Sequence, residues 1–166
     1  VFVAIEAAGS HLVALPDDLD FTSAAALGCR FATAYRAVIT QGRVQAGEWV
    51  AVHGCGGVGI SAVMIAVVAG ARVVAVDVSP QALALAAELG AAPVQGDLNV
   101  IANELEILGS HGMAAHEYPA MLARIVAGDI DPRALVGRTI SLAEAPVALT
   151  TMDSHANPGM TVIELP

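Results

Sequence analysis

The chain has 166 residues, enough for one domain with a real core or one domain plus a small appendage. Hydrophobic residues make up 56% of it and charged residues only 14%, and seven arginines face sixteen acids for a net charge of -9. The acidic surplus and the lack of a basic stripe exclude nucleic acid and an anionic membrane surface as partners, and two cysteines, Cys29 and Cys55, make no disulfide framework.

Val1 to Ala7 and His11 to Leu15 read as two short strands around a turn at Gly9-Ser10, closed by the break Pro16-Asp17-Asp18. A helix follows, capped by Asp20 or Thr22, with apolar residues at helical spacing through SAAALGCRFATAYRAVIT until Gly42 ends it. The next apolar run, Trp49 to His53, is a strand. It leads into a glycine turn and a helix from Val58 to Ala69 stopped by Gly70, then a second strand from Arg72 to Asp77. Pro80 suits the first turn of a helix, QALALAAEL, which Gly90 ends, and Ala92 to Val94 is a short third strand.

Beyond Gly96-Asp97 the alternation loses regularity. The pattern predicts a helical piece at Val100 to Asn103, a strand at Leu105 to Leu108 and a helix at Tyr118 to Ala127. A strand at Val136 to Ile140 and a helix from Ala143 to Thr151, which Ser141 can cap, come next. A turn at Asn157-Pro158-Gly159 precedes the last strand, Thr161 to Leu165. The fold class is therefore α/β, a Rossmann-like doubly wound and mainly parallel sheet.

The segment from Trp49 to Asp77 carries the chemistry. It has the order strand, G-x-G-x-x-G, helix, strand, acid, which is that of a dinucleotide-binding unit. Gly54 lets the chain turn sharply, Gly56 leaves room for a pyrophosphate against the backbone, and Gly59 allows the helix to pack closely on the sheet. The free N–H groups and positive dipole end of the helix starting near Val58 hold the anion without a basic side chain. Asp77, about 20 residues beyond the turn, stands where a carboxylate reaches the 2′-hydroxyl of an adenosine ribose. It repels a 2′-phosphate, so NAD is expected rather than NADP. The competing reading is an α/β turn whose glycines serve packing alone.

Trp49 to Ala71 has no charged residue and is long enough to cross a bilayer, but it contains five glycines. Each costs about 1 kcal/mol in a helix interior, and the unbroken remainder, Ile60 to Ala69, is too short to span. No export signal is visible, and the cysteine usage points to the cytoplasm. Opening on Val1 points to an N-terminus other than a translation start.

With GCRFATAYRAV followed by QGRVQAGEWVAVHGCGGVGISAV, the chain resembles the zinc-dependent medium-chain alcohol dehydrogenases. ELEILGSHGM, EYPAMLARIVAGDIDPRALVGRTISLAEAPVAL and PGMTVIEL resemble their C-terminal portion, so the likeness runs through nearly the whole chain. The resemblance implies hydride transfer between an alcohol carbon and NAD with zinc as Lewis acid, on a small-molecule alcohol or aldehyde, in a protein capable of homo-oligomerisation. It places Cys29 as the third catalytic zinc ligand and Thr33 beside the nicotinamide. Gly54, Gly56, Gly57, Val58 and Gly59 fall at the pyrophosphate and Asp77 at the ribose. Taken alone, Cys29 also reads as a buried helical cysteine.

Two departures qualify the likeness. The other zinc ligands and the hydroxyl–histidine proton relay belong to the family's N-terminal catalytic domain, most of which would precede Val1, and the four-cysteine structural zinc lobe is absent. Between Gly96-Asp97 and Leu98-Asn99 the likeness jumps past strands four and five, a loss of roughly 50 to 60 residues by usual unit length. Removing two neighbours from the order 3-2-1-4-5-6 would bring strand six beside strand one.

The expected organisation is thus a catalytic-domain remnant at 1–20, a truncated NAD-binding domain at 21–141, and a segment at 142–166 returning to the catalytic domain. A form inactive alone is expected, without retained zinc. The alternatives are a non-catalytic nucleotide-binding or assembly module and a zinc-free reductase of the same superfamily. Cys55, the variable residue of the glycine turn, has no partner at metal-ligand spacing, and the five histidines, His11, His53, His111, His116 and His155, take local structural readings, His111 and His116 being five apart rather than the four that align ligands on a helix face.

Overall fold

The computed structural model describes residues 8–95, 110, 112–152 and 159–165. Three parallel strands, β1 (Trp49–His53), β2 (Arg72–Asp77) and β3 (Ala92–Gln95), form one sheet in the order β1-β2-β3. Trp49 lies opposite Arg72 and Asp77 opposite Gln95. The expected adjacency of the first two strands holds. The strand expected at Leu105 to Leu108 and the helical piece at Val100 to Asn103 lie outside the described residues, as do Val1 to Ala7.

β2 is the middle strand, and Val73, Ala75 and Val76 are buried, as a near-continuous apolar run requires when both sheet faces are covered. Helix α4 (Gly57–Val68) crosses from β1 to β2, and α5 (Pro80–Glu88) from β2 to β3. α4 is apolar on nearly every side and correspondingly buried: Ile60, Val63, Ile65 and Ala66 are all at most 2% exposed. Each of these isoleucine and valine side chains contributes about 1.5–3 kcal/mol on leaving water. The polar intruder, Ser61, donates to the Gly57 carbonyl at 2.7 Å, so its burial leaves no unpaired hydroxyl. Ser79 caps α5 through the Ala82 amide, with Pro80 in the first turn as expected.

The N-terminal helical region differs from its sequence reading in two ways. Ala8–His11 is one helical turn, α1, and residues 12–15 have no regular structure in place of the expected strand His11 to Leu15. Leu12 and Leu15 are exposed, and no described strand lies beside them to complete a ladder. Asp20, not Thr22, caps α2 (Phe21–Ala26), accepting from the Ser23 amide and hydroxyl at 2.8 Å each. The helix then widens to π-type turns over Leu27–Phe31, continues as α3 (Ala32–Tyr35), and widens again over Arg36–Gln41 to Gly42. Gly28, with φ -57° and ψ -146°, breaks the helical path within the first wide turn. Phe31 and Ala34 beyond the break are fully buried, and α3 packs on α4.

After α6 (Tyr118–Val126) the chain forms a second, separate parallel pair, β4 (Val136–Ser141) with β5 (Met160–Glu164), with a bulge between Val136 and Arg138. The helix expected from Ala143 begins as a 3₁₀ turn, Leu142–Glu144, and continues as α7 (Ala145–Thr150). Ser141 and Glu144 form a reciprocal capping box there. α2 rests against β5, and the Thr22 hydroxyl donates to Glu164 at 3.0 Å. Of the turn Asn157-Pro158-Gly159, only Gly159 is among the described residues.

Candidate functional site

β1 ends at His53, and the chain reverses through Gly54, whose φ of +88° suits glycine and strains any other residue. Its amide donates to the Val76 carbonyl at 2.8 Å, and the next amide, that of Cys55, donates to the Asp77 carboxylate at 2.5 Å. The turn is therefore tied by two successive N–H groups to the end of β2. The other Asp77 oxygen accepts from the Ser79 amide at 2.7 Å.

The three later glycines serve different ends. A Cβ on Gly59 would stand 1.7 Å from the Gly54 carbonyl oxygen, so only glycine admits this approach of helix to turn. A Cβ on Gly57 would come within 2.6 Å of Arg30 Cδ, because the arginine stem lies across that position. Among the described residues, nothing lies within 4 Å of a Cβ built on Gly56. Gly56 also stands at the cap position of α4 without a side-chain cap, so the first amides of a twelve-residue helix point outward unsatisfied by capping. The open cradle and the donors coincide.

The charge pattern follows from these bonds. The amides of Cys55 and then Ser79 hold the Asp77 carboxyl below the usual carboxylate range, and nearby His53 acts in the same direction. Burial, together with the Asp77 charge, pushes the Cys55 thiol up. Cys55 is only 5% exposed, so it is a packed, protonated side chain.

Cys29 and Thr33 lie on the broken helix that packs against α4. Cys29 is exposed, which removes the reading of it as a buried helical cysteine; the break at Gly28 turns it outward. Thr33 Oγ1 is buried and has no hydrogen-bond partner among the described residues, an orphan hydroxyl of the kind that a ligand satisfies. Cys29 and Arg30 line a hollow of about 380 Å³ with Gly28 and residues of β5. A hollow of about 830 Å³ lies along β4, β5 and the start of the following turn and includes none of the glycine-turn residues. Its position gives it no part in the turn's chemistry. No group of three or more His, Cys, Asp or Glu side chains suited to hold a metal occurs among the described residues.

No family-wide sequence model matches the chain. An alcohol dehydrogenase of Geobacillus stearothermophilus is 45% identical over 85 residues, which are 51% of this chain and 25% of that protein. Among solved structures, an alcohol dehydrogenase of E. coli CFT073 complexed with NADH superposes with a TM-score of 0.78 at 14% identity, over 91% of this chain and 61% of that one. A cobalt- and zinc-bound thermostable alcohol dehydrogenase of Pyrobaculum aerophilum gives 0.75 at 21% identity, over 89% and 58%. Over half of its length the chain is similar in sequence to curated alcohol dehydrogenases, and its fold is similar to that of solved ones.

It spans about a quarter of the length of the curated alcohol dehydrogenases it matches and about 60% of the solved ones. Of the residues singled out from this alcohol dehydrogenase-like sequence, Gly54, Gly56, Gly57, Val58, Gly59 and Asp77 come together at one end of the parallel sheet. Cys29 belongs to no group of three or more metal-ligating side chains among the described residues. Arg30 has no signal in the sequence that marks it for the site, because nothing local places an arginine stem over a glycine 27 positions later.

Proposed function

We propose that the chain carries the cofactor half of an NAD-dependent, zinc-type alcohol dehydrogenase and that these 166 residues alone do not turn over alcohol. The observation that supports this best is the joining of glycine turn and acid: Cys55 N–H to Asp77, with an open Gly56 beside the uncapped start of α4. The amides at the start of α4 bind the pyrophosphate, and Asp77 accepts from the adenosine ribose. The buried hydroxyl of Thr33 faces the nicotinamide portion. Bound NAD supplies the hydride acceptor for an alcohol carbon. The protein's part is to hold the dinucleotide and to exclude a 2′-phosphate by the Asp77 charge, since Val78, Ser79 and Pro80 offer no counter-charge.

The described donor set does not fit a catalytic zinc, which takes three protein ligands and an open position. Cys29 would be one thiolate of a site that other residues complete. The reading includes a nucleotide-binding body at 21–141 flanked by catalytic-domain segments at 1–20 and 142–166, with strands four and five missing after Asp97. It also places the protein in the cytoplasm, acting on a small alcohol or aldehyde and free to self-associate. No helix among the described residues is long and apolar enough to cross a membrane.

A second reading, a nucleotide-binding module without chemistry, is favoured by the same donor set. Calorimetric titration with NAD and NADP, with metal analysis and an NADH-formation assay on a panel of alcohols, separates the two. NAD binding preferred over NADP is expected of both. Zinc at one per chain, lost on Cys29→Ser, together with turnover, would refute the inactive form; absence of NAD binding would refute both readings.

A further inference from the structure

Asp77 is engaged before any ligand arrives. One carboxylate oxygen accepts from Cys55 N–H at 2.5 Å and the other from Ser79 N–H at 2.7 Å. Cys55 lies inside the glycine turn and Ser79 caps α5, so a single side chain ties the phosphate-facing turn to the start of the following helix. Gly54, one residue earlier, is held to the same strand end through Val76. Gly56, one residue later, has open space around it among the described residues and opens α4. The Cys55 amide is thus the last fixed point before the amides that face the ligand.

We infer that Asp77 is a positioning residue for the diphosphate turn as well as a partner of the ribose, so that one carboxylate couples the two halves of the nucleotide site. The inference rests on the NAD reading above. Two N–H groups occupy one lone pair on each oxygen, and a carboxylate has about four acceptor sites, so two remain for the ribose hydroxyls. The arrangement also fixes the carboxylate's orientation, since both oxygens are already committed to backbone. A neutral residue at 77, the obvious way to admit a 2′-phosphate, would loosen the turn that binds the diphosphate. Relaxed ribose selectivity and diphosphate affinity therefore cannot be changed independently at this position.

The test uses the full chain and two probes: NAD, and an NAD analogue lacking both hydroxyls of the adenosine ribose. If Asp77 serves the ribose alone, Asp77→Asn weakens NAD and leaves the analogue unchanged. If it also sets the turn, the analogue weakens too, on the order of tenfold, because the competent turn is populated that much less in the free protein. Asp77→Glu, which keeps the charge but moves it by one methylene, is expected to recover less than half of the lost free energy for the analogue.

Amide hydrogen exchange of the wild-type chain provides a second measurement that does not need a folded variant. Cys55 N–H is expected to exchange at least tenfold more slowly than Gly56 N–H, and equal rates would overturn the inference. Wild-type protein that binds neither probe would sink the NAD reading and this inference with it. Wild-type protein that binds both, with Asp77→Asn weakening NAD alone, would sink only the inference.

Discussion

Replacing Gly59 with alanine tests the closest approach in the site. The new Cβ would stand 1.7 Å from the Gly54 carbonyl oxygen, 2.8 Å from its carbon and 3.4 Å from Val52 Cγ1. Comfortable carbon–oxygen contacts begin at about 3.3 Å, so helix and turn must part by roughly 1.5 Å. The obstacle is backbone, and the peptide carrying that carbonyl is held in place by the Cys55–Asp77 bond. Overpacking costs about 1–3 kcal/mol, and a rigid backbone obstacle belongs at the upper end. Alanine in place of glycine returns about 1 kcal/mol of helix propensity. The net is a loss of about 2 kcal/mol, which for a chain of this size lowers Tm by roughly 4–8 °C. Thermal unfolding followed by far-ultraviolet circular dichroism measures it. An unchanged or raised Tm would refute the reasoning, because propensity alone would then have decided the outcome.

Gly56→Ala is the complementary case: its Cβ meets open space and its φ of -69° suits alanine, so Tm should stay within about 2 °C while NAD affinity falls on the order of tenfold or more. Alkylation near neutral pH, followed by mass spectrometry, should modify the exposed Cys29 first and Cys55 only on unfolding, because Cys55 is buried and its thiol is pushed up. Asp77 has its carboxyl held down in the folded chain, so its contribution to stability is complete above the unfolded carboxylate value of about 3.9 and is lost as pH falls through the lower folded value. The urea midpoints of wild type and Asp77→Asn should accordingly differ by a constant amount from pH 6 to 8 and converge below about pH 4.

The order of elements from Trp49 to Gln95 was legible because each rests on a local cause. An apolar run bounded by glycines, a serine cap before Pro80, and glycines at Gly70 and Gly90 with φ of +83° and +100° are properties of neighbouring residues. The acidic end of β2 and the glycine turn are also local patterns at a fixed spacing, so the sequence by itself determined the parallel β1–β2 pair and the candidate nucleotide turn. Tertiary structure decided what depends on residues far apart in the chain. It divided the work among the glycines, with Gly59 against a carbonyl, Gly57 under Arg30 and Gly56 open. It turned Cys29 outward at the Gly28 break and paired β4 with β5 apart from the main sheet. It also set the Asp77 carboxylate on Cys55 N–H across 22 residues. Periodicity records which face of an element is apolar, whereas the atom that face meets is fixed only when the elements pack.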